Sequence, residues 1–315
     1  MSTPAEPVTR RRRAVIALLA LTVLWGWTFV WSKQSLVAAD RVLGAPGGVP
    51  VVALYVAIRF TTAAAMLAFW PRARRGLAPG VWRGGAVLGV LLAVGFLLQM
   101  LGLEHVTPPV SAFLTSLYVV FAAILSAWMH RARPHWPFLV GVVLATFGAG
   151  FIQGPPQLTF GVAEWLTVGS AFVFALHILA TDRITKAQAP MPVTLAMFVW
   201  TAGLAIVGLA VAMTRADAPS VAALAALLHD PRFLRPLLLS TFFATLLALS
   251  LMNQFQRELD PVRAAILFAL EPIWTTLIAM YAGFGRPGFW LWIGGGALLA
   301  GNLIAEWGVA KKPAD

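Results

Sequence analysis

The sequence predicts an all-α integral membrane protein of ten transmembrane helices, arranged as two inverted five-helix repeats. Three observations predict it: the chain is too apolar for water, one long pattern occurs twice without a gap, and the cations gather on one side. Of 315 residues, 60% are hydrophobic and only 11% charged, with a mean hydropathy of +0.82. A soluble domain carries about 25% charged residues, so most of this chain does not face water. The formal charge of +11 does not point to nucleic acid, because the cations sit at the ends of apolar runs rather than on a polar face.

The repeat is read by sliding Leu259–Ile304 back onto Val106–Phe151. In that register Pro261 falls on Pro108, Ala265 on Ala112, Leu267 on Leu114 and Leu270 on Leu117. Arg286-Pro287 falls on Arg133-Pro134, Gly294 on Gly141 and Gly301 on Gly148. Apolar matches mean little in so apolar a chain. The Arg-Pro pair and two glycines seven apart, all in one register, mark an internal duplication.

A spanning helix needs about 20 predominantly apolar residues. Ten such stretches follow in order: 14–35, 50–70, 82–103, 109–129, 136–153, 161–181, 191–213, 236–255, 262–282 and 288–308. Arg10–Arg13 before the first run imitates a signal peptide, with Val37-Ala38-Ala39 as a mock cleavage site. The run is long enough to span and many spans follow, so it is read as an uncleaved first helix. Of the 23 Lys and Arg, sixteen fall on the side of the N-terminus, among them Arg72, Arg131, Arg183, Arg257, Arg263 and Lys311. Five fall opposite, at Arg41, Arg215, Arg232, Arg235 and Arg286, while Lys33 and Arg59 lie within spans. That asymmetry places both termini in the cytoplasm, and the membrane is expected to be a bacterial inner membrane.

Ten spans in two repeats give five each, and an odd number makes the second repeat enter from the opposite side. The expected layout is a basic segment 1–13, a first repeat 14–153, a second repeat 161–308 and a tail 309–315. By position, Trp25-Gly26-Trp27 in the first span corresponds to Phe174-Ala175-Leu176 in the sixth. Pro155-Pro156 marks the joint between repeats. The longest extramembrane segment, 215–235, carries Ser220 as an N-cap for a short interfacial helix from Val221.

Several polar or aromatic residues lie too deep to be ordinary. Glu271 is about ten residues into its span, near mid-bilayer at 1.5 Å rise per residue, and an ionisable group there is a functional candidate. Pro272 beside it lacks an N–H and frees the carbonyl of Phe268, which kinks the helix. The first repeat has Tyr118-Val119 at the equivalent place. Arg59, about nine residues into the second span, either fastens helices, holds an anionic group or pairs with Glu271. Trp27 and Trp31, four apart, share a helix face and form either a cavity wall or an interfacial belt. Tyr118, Phe121 and the latter's repeat partner Trp274 are candidates for the same wall. Gln99 and Asn253 serve as interhelical bonds or substrate contacts. Lys33 can snorkel as an anchor, and His177 reads as a core histidine. Gly141, Gly148, Gly294 and Gly301 make flat stripes for close helix packing.

The pattern around Leu270-Glu271-Pro272, the paired glycines of the last span and Trp25-Gly26-Trp27-Thr28-Phe29-Val30 resembles the EamA-type drug/metabolite transporters. The resemblance covers residues 14–308 and rests on order and spacing. It implies a secondary transporter working by alternating access on small organic metabolites such as amino acids or drug-like compounds, with efflux the expected direction. It also places an Arg at position 59. No phosphate-binding loop, His-Glu-x-x-His or Gly-x-Ser-x-Gly occurs, and the absence of cysteine removes thiolate chemistry. The expectation is therefore not an enzyme, with no metal and no cofactor. Its partners are a small-molecule substrate and membrane lipid, not nucleic acid, with the chain a monomer or homodimer. Two other readings stand beside it: an intramembrane enzyme acting on lipid, and a non-transporting scaffold or lipid scramblase.

Overall fold

The computed structural model describes residues 5–129, 136–150, 160–259, 264, 267–284 and 288–309. Within them the chain is helical. Helices α1 (Ala5–Leu43), α2 (Gly48–Ala68), the single turn α3 (Pro71–Arg74) and α4 (Pro79–His105) open it. Then come α5 (Pro108–Thr115), α6 (Tyr118–Met129), α7 (Trp136–Gly150), α8 (Val162–Ala187) and α9 (Pro190–Ala212). The rest is α10 (Val221–Leu227), α11 (Pro231–Leu239), a π-helical stretch Ser240–Leu247, α12 (Ala248–Phe255), α13 (Glu271–Tyr281) and α14 (Phe289–Val309). Proline at the first turn starts α4, α5, α9 and α11, where its missing N–H costs nothing.

Seven of these are long and apolar enough to cross a membrane: Arg10–Leu43, Gly48–Ala68, Pro79–His105, Pro108–Met129, Val162–Ala187, Pro190–Ala212 and Pro231–Glu258. The remaining three expected spans fall on α7, α13 and α14, each bordering residues outside the description. Arg131, Arg133, Arg263, Arg286, Lys311, Lys312, the Pro155-Pro156 joint and the pairings of Pro261 and Ala265 also lie outside it.

Three differences from the expected spans have physical causes. Helix α1 has 39 residues, about 58 Å at 1.5 Å each, because the basic segment continues the helix instead of fraying from it. Its length includes Val37–Ala39, which is ordinary helix here. The eighth span widens into the π-helical stretch just after Pro236; that proline cannot supply its N–H, and Thr241 Oγ1 donates to the Leu237 carbonyl at 2.8 Å. The fourth span is not one helix but two, α5 and α6, broken at Ser116-Leu117. Short helix α10 is as expected: Ser220 Oγ accepts from the Ala223 N–H at 3.1 Å, with Leu224 and Leu227 buried beneath.

The halves interleave. Helix α2 packs on α9, α4 on α8 and α9, α1 on α11 to α13, and α7 on α14. The last contact is reciprocal. A Cβ on Gly148 would stand 2.5 Å from the Gly294 carbonyl oxygen, and one on Gly301 would stand 2.6 Å from that of Gly141. Only glycine permits backbones this close.

Candidate functional site

Two half-helices meet at the centre. Helix α6 starts at Tyr118, directly after the Ser116-Leu117 turn, and α13 starts at Glu271, directly after Ala269-Leu270. The backbone bonds of the two breaks match in register. The Leu117 and Leu270 N–H groups donate three residues back, to Leu114 and Leu267, both at 3.2 Å. Pro272 in the first turn of α13 explains the second break. The first has no proline, and its polar backbone is satisfied from elsewhere. Ser116 Oγ donates to the Phe113 carbonyl at 2.7 Å, and Asn302 Nδ2 of α14 donates to Ser116 O and Oγ, both at 3.1 Å. Broken helices at membrane depth survive only where protein or a cavity takes up the freed groups.

Across the gap the Tyr118 hydroxyl donates to Glu271 Oε2 at 3.3 Å, and both residues are buried. They are 153 positions apart, the repeat spacing, so each meets its own counterpart. Beside them lies a cavity of about 60 Å³. Its lining falls largely into such pairs. Trp25 faces with Phe174, Thr28 with His177 and Phe29 with Ile178, each pair offset as Trp25-Gly26-Trp27 is from Phe174-Ala175-Leu176. Gln99 and Met252 share the spacing of Tyr118 and Glu271. Among the described residues Glu271 is the one carboxylate on this lining.

Of the residues singled out from sequence, Gln99, Tyr118 and Glu271 reach the cavity, together with His177, read from sequence as mere core. Gln99 Nε2 donates to Thr115 Oγ1 at 3.3 Å. His177 Nδ1 lies 3.5 Å from Thr181 Oγ1, while its Nε2 is buried without a partner. Trp25 and Thr28 were missed. They lie three apart with Phe29 one further, a single helix face, whereas Trp27 and Trp31 occupy another and stack at 5.3 Å. Trp31 also reaches Phe243 at 6.1 Å. Trp274 packs with Trp27 around Val30 and Ile278, and its Cβ is what keeps Gly26 a glycine, at 2.8 Å from a built Cβ. Phe121 stands edge-on to Phe172 at 5.7 Å. Asn253 Nδ2 donates to Thr194 Oγ1 at 2.8 Å, an interhelical bond. None of these five predicted residues lines the cavity, and neither does Arg59.

Arg59 and Glu271 do not pair. The Arg59 Nε donates to Thr245 Oγ1 of the π-helical stretch, and its two terminal nitrogens have no hydrogen-bond partner. The guanidinium is fully buried and lies 4.7 Å from the Phe96 ring centre, with Tyr55 and Phe60 at about 6 Å. Aromatic faces take the place of the expected carboxylate. Lys33 is no free anchor either: its Nζ donates to the Leu103 and Glu104 carbonyls at 2.9 Å, a cation on the C-terminal end of α4.

The model of the EamA-like transporter family matches residues 12–153 and again 161–306. The chain belongs to the EamA-like transporter family. It is similar to an uncharacterized transporter of Archaeoglobus fulgidus, at 24% identity over 275 residues, 86% of this chain and 78% of that one. A solved crystal structure matches this EamA-like chain with a TM-score of 0.60 at 18% identity, covering 94% of this chain and 96% of its own. That likeness is one of fold. The two matched stretches start 149 residues apart and end 153 apart, the two offsets of the cavity pairs in this EamA-like protein. It is thus a multi-pass membrane transporter, with Tyr118 and Glu271 at its centre.

Proposed function

We propose that this protein is a secondary transporter moving small organic metabolites, such as amino acids or drug-like compounds, outward across the bacterial inner membrane by alternating access. In this reading ten spans form two inverted five-helix repeats, 14–153 and 161–308, with both termini cytoplasmic. One chain is the working unit, because both sides of the two-fold relation lie within it. The observation that carries the reading is the apposition of Tyr118 and Glu271 at matched breaks in two half-helices. Broken helices facing a central site are a recurring device of secondary transporters with inverted repeats. The paired lining of the cavity and the double family match support the same layout.

At about 60 Å³ the cavity holds a few waters, far below the 300–1,000 Å³ of a typical ligand pocket. The conformation is a closed one, and loading separates α5–α6 from α13 and α1 from α8. Trp25, Phe29 and Phe174 then offer the apolar body of a substrate its walls. Gln99, Thr28, His177, Tyr118 and Glu271 supply the hydrogen bonds that orient it. In this reading the chain works as a carrier rather than an enzyme.

The test is flux of labelled amino acids and of a drug-like cation into sealed proteoliposomes. Wild-type protein should move at least one of them well above empty vesicles. Glu271→Gln should reduce that flux at least tenfold while tryptophan fluorescence reports an unchanged fold. Folded wild-type protein that moves none of the panel, yet scrambles labelled lipid, would replace this reading by the scramblase one.

A further inference from the structure

A groove of about 490 Å³ lies where the C-terminal part of α1 packs against α11, with Ala282 and Phe284 just past α13 completing its wall. Helix α1 offers Gln34, Val37, Ala38 and Arg41, whose spacing sets them on one face. Helix α11 offers Arg232 and Arg235, one turn apart. The two helices are fastened beside the groove, where Ser35 Oγ donates to the Phe233 carbonyl at 2.9 Å. Its basic walls are therefore held in place before anything binds.

The charge gathered here has no counterpart in the chain. Five Lys and Arg fall opposite the N-terminus; of the four within the described residues, Arg215 bonds Asp217 at 3.1 Å. The other three are Arg41, Arg232 and Arg235, and all line this groove. Each is exposed, and none has a side-chain hydrogen bond or ion pair among the described residues. Among those residues no carboxylate lines the groove. The acids next in sequence are engaged elsewhere: Asp230 accepts from the Arg232 backbone N–H at 2.8 Å, and Asp40 interacts with the Gly47 N–H. A second groove of about 480 Å³, between α6 and α8, shows the contrast. There Lys186 Nζ meets Asp182 Oδ2 at 2.8 Å, so the wall supplies its own anion. The α1–α11 groove must take its anion from outside the chain.

Its position selects the kind of anion. From Arg235 a strip of exposed apolar side chains continues along the chain through Leu238, Leu239 and Phe242. Phe242 lies roughly 10 Å further along the axis at 1.5 Å per residue, inside a span apolar enough to cross a membrane. A molecule with an anionic head at the arginines and an apolar body along this strip is a phospholipid. Guanidinium groups suit phosphate because their forked N–H donors match its oxygens, and basic pockets between spanning helices take anionic headgroups. We propose that the groove seats the phosphodiester headgroup of an anionic phospholipid, with one acyl chain along Leu238, Leu239 and Phe242. A zwitterionic lipid brings its own ammonium to three cations and is disfavoured. The bound lipid bridges α1, α11 and the end of α13. The site needs a bilayer around the protein and does not depend on the transporter reading.

The test counts lipids retained by the purified full-length protein, by native mass spectrometry, during titration with dioleoylphosphatidylglycerol or dioleoylphosphatidylcholine. Wild-type protein should hold its first phosphatidylglycerol at least fivefold more tightly than phosphatidylcholine. Combining Arg41→Gln, Arg232→Gln and Arg235→Gln should erase that preference. Combining Arg72→Gln, Arg74→Gln and Arg75→Gln, which removes the same charge on the other side, should leave it within twofold. If the groove triple variant does not fold, Arg232→Gln and Arg235→Gln are measured singly, each with at least a threefold loss of affinity expected. Equal affinity for both lipids, or an equal loss in the control triple, would overturn the proposal. So would inorganic phosphate displacing phosphatidylglycerol at equal concentration, the mark of a soluble-anion site. No arm measures flux, so a protein that transports nothing could still hold the lipid, and a transporter could fail to.

Discussion

Replacing Gly301 by alanine tests the two-fold relation more sharply than any loss of function. The added Cβ would lie 2.3 Å from the Ala145 backbone nitrogen and 2.6 Å from the Gly141 carbonyl oxygen, where ordinary contact begins at 3.4 Å. Helices α7 and α14 must therefore separate locally by roughly 1.1 Å. Alanine at Gly148 makes the mirror-image demand, with the Leu298 nitrogen at 2.4 Å, the Gly294 oxygen at 2.5 Å and a separation of roughly 1.0 Å. Overpacking of this kind costs about 1–3 kcal/mol, and the matched geometry requires the two costs to be nearly equal. They must also fail to add. Once one methyl has opened the gap, the other enters it, so the double variant should lose clearly less than the sum. Thermal unfolding of purified protein, followed by tryptophan fluorescence, measures all three differences. A Tm drop at one glycine but not the other, or strictly additive losses, would refute the reciprocal packing.

Asn302→Leu should lower stability by about 1 kcal/mol, the worth of a typical hydrogen bond, since the Ser116 carbonyl loses Asn302 Nδ2 but keeps the Val119 N–H; an unchanged Tm would mean the broken fourth span needs no support from α14. Arg59→Met should hold or raise the Tm, because the guanidinium is buried with one hydroxyl partner and no counter-ion among the described residues; a large drop would show a partner in another conformation. Exchanging Tyr118 and Glu271 should recover most of the stability lost in Tyr118→Glu, whose two carboxylates oppose each other, and no recovery would remove them from the axis. Cysteine at Val37 should react faster with an anionic than with a cationic thiosulfonate, since Arg41, Arg232 and Arg235 line the groove between α1 and α11 with it. The ratio should fall toward one as salt screens them, and a salt-independent ratio would refute the electrostatic cause.

Much of the site was legible in the chain. The 153-residue spacing already named Tyr118 as the counterpart of Glu271; that counterparts touch follows from a two-fold axis, which spacing alone does not locate. The face of α1 was misread. Trp25, Thr28 and Phe29 satisfy helical periodicity as well as Trp27 and Trp31 do, and periodicity cannot say which stripe meets the cavity. The break after Thr115 was invisible because no proline announces it. Its signals are Ser116 and an asparagine 186 residues later, and only folding brings those together. Arg59 was read as a helix fastener, a holder of an anionic group or a partner of Glu271; the three aromatic faces and the threonine that surround it come from separate helices and only folding brings them together.

The meeting of Tyr118 with Glu271 also bears on how such a molecule can arise. If two identical half-length chains had assembled about the same axis, whatever residue stood there would face its own copy. A glutamate would oppose a glutamate, and at hydrogen-bond distance one of the two must hold a proton. A tyrosine would oppose a tyrosine, leaving the centre without charge. Joining both halves in one chain frees the ancestor from that constraint, since a mutation then alters one side only. The same freedom explains Thr28 opposite His177 and Gln99 opposite Met252. In the proposed transporter, fusion would keep the symmetric scaffold that two conformations require, while letting a substrate meet an interior that is chemically one-sided.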